Sequence, residues 1–316
     1  MGSSAFGDLT VIANPFAGNG AVRERLPDLE RLLSERDLPF TTHVLERRED
    51  ASTVAREALL SGSRFLVAVG GDGTVQEVVN GMLEDGRPIA EEAVLGVISA
   101  GARCDLLRTF GLPEELDRAV GHLTGENVYP FDLMKIAYTD DAGERRMRYA
   151  HNLSQVGLGG AVARRLRHLP PWTGRSRSFL GFWLTFLRTR IVQVKVQADK
   201  KAYEGPAFDV VVANGQFTGG ELFGGRGVRL SPRSFPGDGV LDALVFTGPR
   251  SDAVTMLPRI FCHGDHVPDP HIRELRAKIR VAVEAERPLA IVADGELLGT
   301  TPATFQVVPQ PIALKL

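Results

Sequence analysis

The sequence predicts an α/β domain built on a parallel, doubly wound sheet, followed by a β-rich domain with the character of a sandwich. Three observations carry this. Short apolar runs alternate with helical periodicity through the first 130 residues. Three of those runs end in glycine-bearing loops, as strands do at the carboxyl edge of a parallel sheet. From residue 129 onward the texture changes to short alternating runs separated by Gly, Pro and Asp turns. The 316 residues leave room for two domains, at roughly 100–200 residues each. The expected boundaries are 1–130 and 131–316.

The elements follow in order. LTVIA at 9–13 reads as a buried strand that stops at Asn14-Pro15. Val22, Leu26, Leu29, Leu32 and Leu33 stand at helical spacing over 21–36. Residues 40–45 alternate as a second strand, and 50–60 read as a helix with Ser52 as a candidate N-cap. Residues 65–69 form a third, buried strand that runs into Gly70-Gly71-Asp72-Gly73-Thr74. A helix follows over 75–83, and 94–98 is the fourth strand. In the second half 131–137, 148–153, 191–198, 209–214, 241–246, 279–283, 289–293 and 304–308 read as strands. Helical spacing interrupts them at 160–168 and 179–190, with a third stretch at 251–261.

Composition narrows the classes. Hydrophobic residues at 43% and charged residues at 24% fit a globular chain with real cores. A net charge of −2 argues against broad attraction to nucleic acid or anionic membrane, so any basic site is local. Cys104 and Cys262 lie far apart and match no metal-ligand spacing, which points to a reduced, cytoplasmic protein. Residues 1–7 show no charged-then-apolar signal pattern. No apolar run approaches the about 20 residues that span a bilayer.

The loop at 70–74 carries the most chemistry. Glycines let backbone approach a ligand and permit positive φ. The start of the following helix offers free N–H groups and the positive end of its dipole, which suits phosphate. Asp72 adds a carboxylate where a phosphate-bound Mg²⁺ would sit, and Thr74 can cap the helix or bond a phosphate oxygen. A plain strand-to-helix turn is the alternative. The loop matches neither the P-loop nor the dinucleotide-binding fingerprint. It has company, however: NPFAGNG follows the first strand and Ser99-Ala100-Gly101 follows the fourth.

A wider set of segments makes the pattern specific. These are NPFAGNG at 14–20, VGGDGTVQEVVNG at 69–81, GARCDLLRTFGLP at 101–113 and FDLMKI at 131–136. NLSQVGLGGAVA at 152–163, VVVANGQFTGGE at 210–221, PGDGVLDALVF at 236–246 and ADGE at 293–296 complete it. In this order, across nearly the whole chain, they resemble the diacylglycerol kinase catalytic family, which includes sphingosine, ceramide and bacterial lipid kinases. The GGDGT loop alone is shared with NAD kinases and resembles that of phosphofructokinase.

The resemblance implies an NAD-kinase/phosphofructokinase-like first domain, a sandwich second domain, and a nucleotide site in the interdomain cleft. It implies an ATP-dependent kinase that phosphorylates a hydroxyl of a lipid or lipid-like acceptor. ATP would lie against Asn14, Gly18, Gly71, Asp72, Gly73, Thr74 and Gly101, with Thr42 a weaker candidate. Asp72, Asp105 and Asp132 match the positions that gather carboxylates around catalytic Mg²⁺. Asp294 matches the general base, supported by Glu296, with Asp72 the third catalytic residue. A hairpin turn at Asp294-Gly295 is compatible with that role. A structural metal is implied at 236–242, where Gly237 replaces one acidic residue and Asp238 and Asp242 remain.

Departures from the family pattern shape the alternatives. The third loop usually reads Pro-x-Gly-Thr-x-Asn-Asp; here it reads SAGARCD at 99–105. Either the acceptor is unusual and touches Arg103 and Cys104, or transfer is weakened. A kinase of a soluble hydroxylated metabolite and a non-catalytic nucleotide or lipid binder are the alternative functions. Cys104 lacks a nearby His partner for a nucleophile's role, and His151, His168, His263, His266 and His271 show no zinc spacing. Arg164, Arg165, Arg167, His168, Arg175 and Arg177 suit either anionic headgroups or a solvated helix face. Trp172, Phe179, Phe182, Trp183 and Phe186 suit either the mouth of an apolar pocket between the domains or core packing, and the helical spacing of Phe179, Phe182 and Phe186 favours the core for those three. The expected partners are the acceptor and, transiently, a membrane surface, with no nucleic acid. A homodimer is compatible with the sequence, although no periodic or patch signal shows one.

Overall fold

The computed structural model describes residues 4–47, 50–169, 177–219, 227–248 and 264–316. The chain divides into two units, Met1–Asp132 with Val308–Leu316, and Leu133–Val307. The expected second domain ran through to residue 316. The C-terminal segment instead belongs to the first unit, because Ala313 and Leu314 pair with Val94 and Leu95 there.

In chain order the first unit holds β1 (Leu9–Ala13), α1 (Ala21–Glu35), β2 (Phe40–Val44), α2 (Asp50–Leu60), β3 (Phe65–Val69) and α3 (Asp72–Met82). The hairpin of β4 (Leu83–Glu84) and β5 (Arg87–Pro88) follows, then β6 (Val94–Ile98), α4 (Asp105–Phe110) and α5 (Leu116–Gly121). The strands run parallel in the order β6-β3-β1-β2. β1, β3 and β6 are buried at every position, as strands with cover on both faces must be. α1 buries Val22, Leu29, Leu32 and Leu33 in one cluster with Leu9, Val11 and Phe65. This order sets the ends of β1, β3 and β6 side by side, so the three glycine loops share one edge.

The second unit opens in β7 (Val128–Thr139), which starts in the first. It continues with β8 (Arg145–Ala150), β9 (Leu153–Gly157), α6 (Leu158–His168) and α7 (Arg177–Phe186). Next come β10 (Val192–Ala198), β11 (Lys201–Ala207), β12 (Asp209–Ala213), β13 (Phe217–Thr218) and β14 (Val228–Arg229). β15 (Leu241–Phe246), β16 (Ile272–Ala277), β17 (Arg280–Ala285), β18 (Ala290–Ala293) and β19 (Glu296–Lys315) complete it. One antiparallel layer runs β16-β15-β12-β9-β18-β19, and the other joins β11, β10 and β17 to β19, with β7 and β8 paired. Val210, Leu241 and Ile291 from the first layer share a core with Val194, Val196 and Val283 from the second. That is the packing of a sandwich.

Several elements differ from expectation. The strand expected at 148–153 is two strands, β8 and β9, broken at His151-Asn152. α3 begins at Asp72 rather than 75, because Gly71 is extended and leads straight into the helix. β11 and β16 have no apolar run to announce them. The helix expected at 251–261, together with Trp172, Arg175, Cys262 and His263, lies outside the described residues. Among the described residues no helix is long and apolar enough to cross a membrane.

Two contacts generate predictions. α3 lies so close to α2 that a Cβ on Gly81 would collide with Ser52 O and stand 2.9 Å from Ala55 Cβ. Gly81→Val should lower stability by about 1–3 kcal/mol in urea unfolding, as overpacking does. Gly121→Ala, which meets nothing within 4 Å, should not destabilise.

Asp209 is the second. It is buried, and its Oδ1 accepts the Gly159 N–H of α6 at 3.4 Å. Burial pushes its carboxyl up from 3.8 to about 7, opposed by N–H bonds from Gly159, Leu158 and Val210. The folded state therefore keeps a proton that the unfolded state releases. Stability should fall as pH rises from 3.8 to about 7 and level off above. Chemical unfolding across this range should show that slope, and Asp209→Asn should remove it.

Candidate active site

The edge beyond β1, β3 and β6 is a cluster of three loops bonded to one another. Asn14, after β1, donates from Nδ2 to Thr74 Oγ1 at 3.0 Å, and its Oδ1 accepts the Phe16 N–H at 3.1 Å. Gly70 N–H donates to Ile98 O at 2.9 Å, and Asn14 N–H to Val69 O at 3.0 Å. Asp72 reaches into the third loop: its carboxylate accepts the Asp105 N–H at 2.9 and 3.0 Å and the Leu106 N–H at 3.3 Å. The Cys104 thiol donates to the same carboxylate at 3.5 Å.

Glycine is required where the loops touch. A Cβ on Gly18 would stand 2.8 Å from Gly101 O, and one on Gly71 would stand 2.6 Å from Arg103 O. Gly18 and Gly101 also hold positive φ, 62° and 89°, which side chains rarely adopt. α3 starts at Asp72 with no side-chain cap. The Thr74 N–H bonds the Gly71 carbonyl at 2.9 Å, while the Gly73 N–H, one position earlier, has no carbonyl partner within the helix. Such a terminus favours anions. The structure thus brings together Asn14, Gly18, Gly71, Asp72, Gly73, Thr74, Gly101 and Asp105.

Thr42 sits mid-strand in β2 opposite Val11, with its Oγ1 buried and without a hydrogen-bond partner. Asp132 is fully buried and accepts the Gln310 N–H at 2.9 Å. Asp105 lies 3.6 Å from Arg108 Nη1. Among the described residues no group of three or more His, Cys, Asp or Glu side chains is arranged to hold a metal ion. A pair of carboxylates still fits Mg²⁺, which keeps its waters and shares one or two carboxylates with substrate phosphates. Asp72 and Asp105 are the two carboxylates at this loop edge. Cys104 is buried, and burial and then the charge of Asp72 push its thiol well above the ordinary range. It is a thiol donor there, not a thiolate nucleophile.

The second unit builds a different carboxylate site. Asp294 ends β18 in a turn with φ 47°, followed by Gly295 at 82°. Its side chain is fully buried, and the bend between β8 and β9 wraps it. Oδ2 accepts the His151 N–H at 2.7 Å; Oδ1 accepts those of Asn152 at 3.1 Å and Leu153 at 3.0 Å. His151 Nδ1 stands 2.9 Å from Oδ2. The sequence offers no local signal for this pairing, since 143 positions separate the two residues. Glu296, at the start of β19, lines an open cavity of about 220 Å³ with Tyr138, Arg148, Leu297 and Leu298.

Other expected sites resolve differently. Phe182 and Phe186 stack at 5.8 Å and pack into the second unit's core, while Phe179 is exposed. Asp238 and Asp242 share an arginine from β16. Arg276 Nε donates to Asp242 Oδ1 at 2.8 Å, and its Nη2 lies 3.3 Å from Asp238 Oδ2. Ser234 Oγ donates to the other oxygen of Asp242 at 2.7 Å. The Arg276 guanidinium thus supplies positive charge to both carboxylates. EDTA should therefore leave the melting temperature unchanged. Arg276→Met should cost about 2 kcal/mol, because buried Asp242 loses a charged donor. Added Ca²⁺ should restore part of that loss in thermal melts.

Comparison with known proteins agrees with this architecture. The diacylglycerol kinase catalytic domain family matches residues 8–136. The YegS C-terminal NAD kinase beta sandwich-like domain family matches residues 155–316, just over half of the chain. A Bacillus subtilis (strain 168) protein named diacylglycerol kinase is 25% identical over 303 residues, covering 93% of this chain and 91% of that one. A diacylglycerol kinase of Mycobacterium tuberculosis (strain ATCC 25618 / H37Rv) is 27% identical over 308 residues, covering 96% and 93%. A crystal structure of a diacylglycerol kinase from Bacillus anthracis str. Sterne has the same fold. It superposes with a TM-score of 0.72 at 22% identity, covering 99% of this chain and 97% of that one. The chain therefore belongs to the family that joins a diacylglycerol kinase catalytic domain to a YegS-type C-terminal domain, phosphotransferases with an alcohol group as acceptor.

Proposed function

We propose that the chain transfers the γ-phosphoryl group of ATP to a hydroxyl of a lipid or lipid-like acceptor of the diacylglycerol or sphingoid type. The observation that carries this is the three-loop cluster: glycines in close mutual approach at a sheet's carboxyl edge, beside an uncapped helix start. Such a cluster suits the phosphates of a nucleotide. Gly18, Gly71, Gly73 and Gly101 let backbone approach, while Asn14 and Thr74 fix one another. Asp72 and Asp105 would hold Mg²⁺ that arrives with the nucleotide. The ion, when bound, neutralises charge on the phosphates during transfer. Asp132, which accepts the Gln310 N–H, is the third carboxylate proposed for that network, and Thr42 is the weaker nucleotide contact.

Asp294 is the proposed proton acceptor for the substrate hydroxyl. Three backbone N–H groups orient its carboxylate, and the His151 imidazole stands against Oδ2 to share the proton. Glu296, one residue past Gly295, would orient the acceptor or the metal-nucleotide. The working place is cytoplasmic, with transient access to membrane lipid. A second reading rests on the SAGARCD loop: the family's Thr and Asn hydroxyl and amide are replaced by Ala102 and Cys104, which favours a less usual acceptor, including a soluble hydroxylated metabolite.

The test is transfer from [γ-³²P]ATP with Mg²⁺ to a panel of diacylglycerols, sphingoid bases and soluble hydroxylated metabolites. The wild type should label a lipid acceptor. Asp294→Asn should lower turnover by at least about a hundredfold while still binding ATP, the scale of a lost general base. His151→Gln should lower it less. Wild-type turnover by Asp294→Asn would remove the assigned base. ATP binding without label on any acceptor would favour a nucleotide-binding protein without transfer.

A further inference from the structure

α7 turns the wrong side outward for a water-facing helix. Phe182 and Phe186 enter the core, yet Phe179 is 52% exposed, Leu180 41% and Leu184 38%. Just past the helix Leu187 is 66% exposed and Ile191 42%. Leu180 and Leu184 stand one turn apart on the exposed side of α7, and Leu187 and Ile191 continue the exposed apolar stretch past its end. Scattered exposed apolar residues need no account, but a contiguous row marks an interaction surface.

The charged residues along this stretch of sequence have one sign. Every charged residue from Arg145 to Lys195 is basic, in a chain whose net charge is −2. Arg188 and Arg190 are exposed between Leu187 and Ile191. On α6, Arg165 Nε donates to Thr185 Oγ1 at 2.8 Å, which fastens α6 to α7. Arg164 is partly exposed, and the acidic group beside it is Asp141 of the β7–β8 turn, 3.4 Å from Nη2.

We infer that α7 with residues 187–191 is a docking face for the surface of an anionic lipid bilayer. A bilayer presents both chemistries in register along its normal: negative headgroups above hydrocarbon. Apolar side chains enter the boundary while arginines reach back to phosphates. A second copy of this chain would bring like charge onto like charge. Docking stands on exposure and charge alone; that it delivers the acceptor to the enzyme rests on the kinase reading above.

The test is co-sedimentation of the full chain with vesicles. One set is phosphatidylcholine, the other phosphatidylcholine with about one third phosphatidylglycerol. The wild type should bind the anionic vesicles at least about tenfold more tightly, and salt should weaken binding. The double variants Leu184→Ser with Leu187→Ser, and Arg188→Glu with Arg190→Glu, should each lose that gain. Their thermal melts should match the wild type, as the altered side chains are exposed. Each should phosphorylate a water-soluble short-chain acceptor at the wild-type rate and lose only turnover of vesicle-borne acceptor. Equal binding to both vesicle types, or binding unmoved by both variants, would overturn the docking face. So would a wild-type dimer in light scattering that both variants dissolve. Vesicle binding that responds as expected, with no transfer to any acceptor, would keep the docking face and remove the kinase reading.

Discussion

The carboxylate of Asp72 is the contact on which the first unit's loop edge depends. It stands at the first residue of α3 and accepts the N–H groups that open α4. One charged group thus compensates one helix start while leaving the other, its own, open. Hydrogen bonds to a charged acceptor contribute about 1.5–3 kcal/mol each. They are enough to hold the third loop against the first two at the distances that demand Gly18 and Gly71. The same contact explains Cys104. Where the family carries an amide, the thiol still donates to Asp72, and its burial beside that charge keeps it protonated.

The second unit solves a related problem with backbone alone. Asp294 is a buried carboxylate, and an unpaired buried charge is costly. The chain bends at His151-Asn152 so that three consecutive N–H groups point at it. The bend that splits β8 from β9 and the orientation of Asp294 are one feature. Asp238 and Asp242 meet their requirement with Arg276 instead. In each place the fold meets a carboxylate with donors from distant sequence.

How much of this was legible depended on range. β1, β3 and β6 are read with their observed bounds, because each is a short, mostly apolar run closed by a breaker. The glycine loops were legible as a set, since a strand, a glycine loop and a helix are contiguous in sequence. The break at 151–152 was not, because its cause lies 143 positions away in Asp294. Nor was Arg276, 34 positions from Asp242. β11 and β16 escaped notice because charged and exposed positions interrupt their apolar pattern. The apolar spacing of 179, 182 and 186 pointed to the core, which holds for Phe182 and Phe186. Phe179 faces solvent, and sequence spacing alone could not say so.

The central claim is that the three-loop edge receives nucleotide phosphates. The most direct measurement is an ATP titration of the ¹⁵N-labelled protein followed by amide chemical shifts. The account predicts saturable shifts in the N–H signals of Gly18, Gly71, Gly73, Thr74 and Gly101, larger than those elsewhere in Met1–Asp132. Saturable shifts that leave these five signals in place, or none at all with ATP in excess, would contradict it.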